Sequence, residues 1–189
     1  MSRLEVVQHD SFKLGTEDLV AGAFVEYLRG IGTVVASRRP GDPDAGEPDI
    51  VCTDGEGRPL GIEITAAYYR PADAKLLGQV VRDLAREGKR QAIMSSSEIG
   101  DDDLPPGVFR NPDAKLAANL QAAMEKKVLK RYGLQTFLVL DASWAELTSA
   151  ADAPRILAQL KRPNALPYLD VFLCLVSRYQ TGRKFFRVP

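Results

Sequence analysis

Two short apolar segments, EPDIVC at residues 47–52 and GIEIT at residues 61–65, decide how this chain folds. The intervening TDGEGR, residues 53–58, carries the glycines that a tight hairpin turn requires. The pattern predicts two antiparallel strands, each bearing one carboxylate, Asp49 or Glu63, in a hydrophobic setting. A buried carboxylate is costly without a partner, and neighbouring carboxylates repel each other unless a cation lies between them. We therefore expect a cation site at this hairpin.

The composition is that of an ordinary ordered domain. A length of 189 residues, with 45% hydrophobic and 26% charged residues, suits a single domain over residues 1–189. The 25 Lys and Arg residues are balanced by 25 Asp and Glu residues, so the chain has no global basic field. Any nucleic-acid site must therefore be a local patch.

The small number of cysteines and histidines limits the kinds of catalysis that the chain can support. Cys52 and Cys174 lie in apolar segments and are expected to be buried free thiols in a reducing compartment. The single histidine, His9, leaves almost nothing for histidine-dependent catalysis. No apolar run is long enough to span a bilayer and none resembles a signal peptide, so we expect a cytoplasmic protein without a membrane partner.

Periodicity and turn signals predict the elements along the chain. Helices are expected at residues 16–29 and 112–132, with shorter helical pieces at 144–147 and 156–160. Strands are expected at residues 33–37, 50–53, 60–66, 135–141, 171–176 and 184–188, and an arm or edge strand at 2–13. Residues 70–111, a helical stretch followed by a Pro- and Gly-rich loop, form an insertion. The order predicts an α/β fold, with a central mixed sheet flanked by helices and a helical insertion after the third strand.

One lysine stands out in the second long helix. Lys127 falls near the middle of the apolar stripe that Leu116, Leu120 and Met124 define. A lysine there either extends to the rim of the stripe or is placed against a carboxylate. Glu26 lies at the margin of the first helix's apolar face, where a solvated glutamate is the ordinary interpretation.

The order of these elements resembles the PD-(D/E)XK nuclease superfamily, whose restriction-endonuclease-like core is αβββαβ. Pro48-Asp49 stands at its Pro-Asp motif, and Glu63-Ile64-Thr65 at its (D/E)-x-Lys tripeptide. Glu26 matches the acidic residue often found on that family's first helix. The resemblance covers residues 16–66 and 112–140. It implies Mg²⁺- or Mn²⁺-dependent hydrolysis of phosphodiesters, with Asp49, Glu63 and Glu26 as metal ligands.

The chain departs from the family pattern at Thr65, where the lysine would stand. Some members carry this lysine on the following helix, and Lys127 is then the candidate to orient the attacking water. Pro43-Asp44 is a rival for the Pro-Asp motif. The resemblance also implies nucleic acid as the partner, DNA rather than RNA, and leaves a homodimer open. Candidate substrate contacts are Thr65, Tyr68, Arg70 and Gln121.

Other functions fit the same residues. A catalytically inactive protein of the nuclease fold could act as a nucleic-acid- or protein-binding module, which the neutral net charge suits. An α/β enzyme of small phosphorylated substrates is disfavoured, because Gly55 and Gly57 lie in a hairpin and not before a helix. In the plainest alternative, Asp49 ends a turn and Glu63 pairs with an arginine.

Overall fold

The segments around Asp49 and Glu63 lie inside a six-stranded sheet in a computed structural model of the chain. The structure describes residues 3–66, 112–142, 150–176 and 182–189. The strands are β1 (Val35–Pro40), β2 (Ile50–Asp54), β3 (Pro59–Ala66), β4 (Gln135–Asp141), β5 (Val171–Val176) and β6 (Arg183–Arg187). They lie side by side in chain order.

The sheet is mixed. The pairs β1–β2, β2–β3 and β5–β6 are antiparallel, and the pairs β3–β4 and β4–β5 are parallel. Helices α1 (Arg3–Gly30), α2 (Pro112–Lys126) and α3 (Ala153–Leu157) accompany the sheet, and a short 3₁₀ turn (Ala150–Asp152) precedes α3. The expected α/β fold, a central mixed sheet flanked by helices, is confirmed.

The first helix begins earlier than the sequence predicted. The expectation of an arm or edge strand at residues 2–13 is wrong, because α1 runs without interruption from Arg3 through Gly15 and Thr16 to Gly30. A glycine inside a helix costs only about 1 kcal/mol, which is too little to end it. No proline occurs between residues 3 and 30, so nothing in the backbone forbids the longer helix.

Two expected elements, the insertion at residues 70–111 and the helical piece at 144–147, lie outside the described residues. None of the helices within the described ranges is long and apolar enough to cross a membrane.

Each face of the sheet has its own hydrophobic cluster. The cluster beneath α1 contains Leu60, Ile62 and Ile64 of β3. The cluster beneath α2 and α3 contains Leu138 of β4, which is the partner of Glu63 across the parallel pair. Because side chains alternate along a strand, Glu63 faces the α2 side of the sheet.

Candidate active site

Asp49 and Glu63 lie side by side at the end of the β2–β3 ladder. The last printed pair of this antiparallel ladder joins Ile50 to Ile62, so Asp49 and Glu63 are the next residues outward. The carboxylate of Asp49 accepts a hydrogen bond from the backbone N–H of Ile64, with 2.8 Å between Oδ2 and N. Its own carbonyl accepts a second bond from the N–H of Gly41 at 2.9 Å. Backbone groups on both sides therefore hold Asp49 in place.

The loop that leads to Asp49 is braced by an ion pair. The two terminal guanidinium nitrogens of Arg39, Nη1 and Nη2, each lie 2.7 Å from a carboxylate oxygen of Glu47. The backbone N–H of Asp42 also donates to Glu47, at 2.8 Å. The hydrogen bond from Arg39, supported by that from Asp42, lowers the pKa of Glu47 to about 2. Arg39 is thereby engaged in fixing the entry to β2.

A glycine permits the close approach of this loop to β3. A Cβ at Gly61 would lie 2.7 Å from Cγ of Pro48 and 2.5 Å from Oγ1 of Thr136. Both distances are too short for real atoms, so any side chain at position 61 would push Pro48 outward. Because Pro48 directly precedes Asp49, Gly61 helps to set the position of the carboxylate.

Lys127 reaches the buried carboxylate of Glu63. The Glu63 residue is only 3% exposed, and the Lys127 Nζ lies 2.5 Å from its Oε1. The amine is therefore turned toward the sheet and not into bulk solvent. The ion pair joins two residues more than sixty positions apart in the chain, and the Lys127 side chain keeps 20% exposure.

The route by which Lys127 reaches Glu63 differs from the expected one. The predicted helix to residue 132 is too long, since α2 ends at Lys126. The N–H of Lys127 donates to the carbonyl of Met124, and the N–H of Lys130 to that of Lys127. These bonds to the third preceding residue tighten the chain into turns after the helix. Lys127 is thus the first residue beyond α2, directly after the apolar stripe.

Two tyrosines complete the surroundings of Glu63, and the sequence did not indicate them. Burial raises the pKa of Tyr132, and a hydrogen bond to the Glu63 carboxylate raises it further. Burial also raises the pKa of Tyr168, and the negative charges of Glu63 and Asp49 add to this effect. The raised pKa of Tyr132 thus reflects a hydroxyl group that is partly buried near the Glu63 carboxylate. Its only signal in the sequence was its place five residues after Lys127.

An open cavity adjoins this group. It has a volume of about 530 Å³ and is lined by residues 132–136 and 167–169, including both tyrosines. Neither carboxylate lines this cavity, and Tyr132 is the lining residue whose pKa responds most to Glu63.

Two of the other predicted site residues lie elsewhere. Glu26 is not brought to the carboxylate pair, because its exposed side chain pairs with Arg29, which also donates to the carbonyl of Val35 in β1. It belongs to α1, which packs on the face opposite Glu63. Gln121 exchanges two hydrogen bonds with the backbone of Lys161 and so ties α2 to the segment after α3.

The remaining predicted contacts are Thr65, Tyr68 and Arg70. Thr65 follows Glu63 by two residues on β3 and faces the same side, with a half-buried side chain. Tyr68 and Arg70 lie outside the described residues.

The donor set at this site suits a hard divalent cation in part. Within the described residues, no group of three or more Asp, Glu, His or Cys side chains is arranged to hold a metal. Mg²⁺ commonly takes only one or two carboxylates and completes its shell with water and phosphate oxygens. Asp49 and Glu63 meet that smaller requirement, and they are the residues that would hold it.

Comparison of the chain with protein-family models, with curated proteins and with solved structures returned no match. The resemblance to the PD-(D/E)XK superfamily therefore depends on the residues and on the order of elements described above.

Proposed function

We propose that this protein is a metal-dependent nuclease of the PD-(D/E)XK type that hydrolyses phosphodiester bonds in DNA in preference to RNA. The contact of 2.5 Å between Lys127 Nζ and Glu63 Oε1, beside Asp49, carries the proposal. A carboxylate pair with an amine on one member is the arrangement expected when the (D/E)-x-Lys lysine has moved to another element.

Each residue has a distinct task in this mechanism. Asp49 and Glu63 bind the cation, and the Ile64 N–H keeps the Asp49 carboxylate in its orientation. Lys127 holds its positive charge beside Glu63, where it can orient the attacking water and offset negative charge on the phosphate. Tyr132 donates to Glu63 and so limits the positions that this carboxylate can take. When bound, Mg²⁺ would supply Lewis-acid activation of water and neutralise the phosphate.

A cleavage assay tests the proposal. The wild-type chain is incubated with single- and double-stranded DNA and RNA in Mg²⁺ or Mn²⁺, beside Glu63→Gln. The matched control is Glu56→Gln, an equal substitution at an exposed residue of the β2–β3 hairpin. We expect Glu63→Gln to lower the cleavage rate by about 10²–10³-fold and Glu56→Gln to leave it unchanged, with DNA cut faster than RNA.

The assay also separates the alternatives. Equal cutting by wild type and Glu63→Gln would remove Glu63 from the mechanism and contradict the proposal. DNA binding without cutting by the wild type, under every metal condition, would favour the inactive binding module.

A further inference from the structure

Leu129 is the most exposed large hydrophobic side chain among the described residues. It is 87% exposed, and it lies in the turn at residues 127–130 that also carries Lys127. Single exposed leucines are common on protein surfaces, so exposure alone means little. The turn that carries Leu129 and the charged residues beside it indicate a specific role for this side chain.

The turn holds Leu129 in a defined position. The N–H groups of Val128 and Lys130 donate to backbone carbonyls at 3.2 and 3.1 Å. The Arg131 side chain closes the turn by donating to the carbonyls of Val128 at 2.5 Å and Lys130 at 2.8 Å. The exposed side chain of Leu129 therefore lies on a turn whose backbone is held by hydrogen bonds.

Exposed basic residues flank Leu129 along the chain, and the exposed carboxylate of Glu125 nearby accepts a hydrogen bond from Gln121. Lys126, Lys130 and Arg131 are exposed on either side of Leu129, and Lys127 extends from the same turn to Glu63. Two residues of chain span at most about 7 Å, so the backbone of Leu129 lies within this distance of the backbone of Lys127. A partner for this surface needs negative charge on both sides of an apolar contact.

A base step of duplex DNA meets both requirements. Its phosphates flank the stacked bases, and proteins insert leucine and similar side chains between base steps to open the stack. A single strand fits less well, because proteins bind its bases on aromatic platforms, which Leu129 does not provide. We propose that residues 127–130 form a wedge that inserts Leu129 into a base step of duplex DNA beside the phosphate to be cut.

This inference rests on the proposed function, since it names the substrate as a duplex that is locally opened. It concerns binding and deformation, which can be measured without cleavage. The experiment therefore uses full-length Glu63→Gln in Ca²⁺, with a DNA duplex in which 2-aminopurine replaces the adenines of one strand. Emission from 2-aminopurine rises when its neighbours unstack, and anisotropy of a second, dye-labelled duplex reports binding.

The test variant is Leu129→Ala and the matched control is Leu19→Ala, an identical change at a residue of α1 that is 63% exposed. Binding of Glu63→Gln should raise the 2-aminopurine emission. Leu129→Ala should abolish most of this rise and weaken binding about tenfold, as expected for loss of a buried leucine contact. Leu19→Ala should preserve both signals.

Three results would overturn the wedge. The first is an equal rise in 2-aminopurine emission with Leu129→Ala and Leu19→Ala. The second is no binding of the duplex. The third is that Leu129→Ala changes only the molecular mass of the protein in analytical ultracentrifugation, which would indicate that Leu129 contacts another protein chain. The readout distinguishes the two proposals. Opening of the duplex without hydrolysis by the wild type would support the wedge and contradict the nuclease proposal. Hydrolysis by the wild type without opening of the duplex would support the nuclease proposal and contradict the wedge.

Discussion

The two faces of the sheet are built from the same strands but differ in what they bury. On the α1 face the ring of Phe24 lies 5.0 Å from that of Phe172 and 5.1 Å from that of Phe185, inside an apolar cluster that also borders the buried carboxylate of Asp141. On the α2 face the apolar cluster covers β4 and β5, but β3 presents Glu63. We therefore expect the aromatic packing on the α1 face to dominate stability, while the proposed chemistry depends on Glu63 at the border of the α2 cluster.

The largest effect on stability is expected on the α1 face. Phe24 is fully buried, so Phe24→Ala removes a large contact area and leaves a cavity. We expect the free energy of unfolding to fall by about 3–5 kcal/mol, as measured by urea denaturation. Leu19→Ala, on the exposed side of the same helix, should change it by less than about 0.5 kcal/mol. A loss below about 1 kcal/mol for Phe24→Ala would show that this cluster does not dominate stability.

A smaller effect is expected from the ion pair on the α2 face. Lys127→Met removes the amine and leaves the buried Glu63 carboxylate without its cation, which should cost about 1–3 kcal/mol because Lys127 is partly exposed. Adding Glu63→Gln removes the charge that was left unpaired. The double variant should therefore be more stable than Lys127→Met, by urea denaturation of all four members of the cycle. Strictly additive losses would show that the two side chains are not coupled.

The smallest effect concerns Tyr132 at alkaline pH. Its raised pKa means that folded Tyr132 keeps its proton above about pH 10, where an unfolded tyrosine ionises. The unfolded state then binds fewer protons, so the free energy of unfolding falls as the pH rises above 10. When the pH is raised from 8 to 10.5, the free energy of unfolding of Tyr132→Phe should fall by about 1 kcal/mol less than that of the wild type. Urea denaturation at both pH values measures the difference. Identical losses would mean that Tyr132 is not buried against Glu63.

The carboxylate pair could be predicted from the sequence because a hairpin imposes its own register. The turn at residues 53–58 determines which residues of the two segments face each other, and this local rule brings Asp49 next to Glu63. The charge partner of Glu63 was also predicted, from the expected position of Lys127 near the middle of an apolar stripe and from the family resemblance. The hairpin register is a short-range pattern that the fold preserves, whereas Lys127 reaches Glu63 from a turn after α2 and not from the expected helix.

The rest of the site depends on tertiary placement. Glu26 matched a family position, but α1 packs on the other face and directs this residue to Arg29. Tyr132 and Tyr168 lie on separate loops, and only the packing against β4 and β5 brings them near Glu63. No local periodicity contains this information. The end of α2 at Lys126 was missed because a change from helical to turn hydrogen bonds depends on the packing that follows.

A direct titration of Mn²⁺, followed by electron paramagnetic resonance, tests whether Asp49 and Glu63 form the proposed cation site. We predict that the wild-type chain binds Mn²⁺ and that Asp49→Asn and Glu63→Gln each weaken this binding by at least about tenfold. Glu56→Gln, on the exposed hairpin, should leave it unchanged. Mn²⁺ binding that is equal in the wild type, Asp49→Asn and Glu63→Gln would contradict the proposed site.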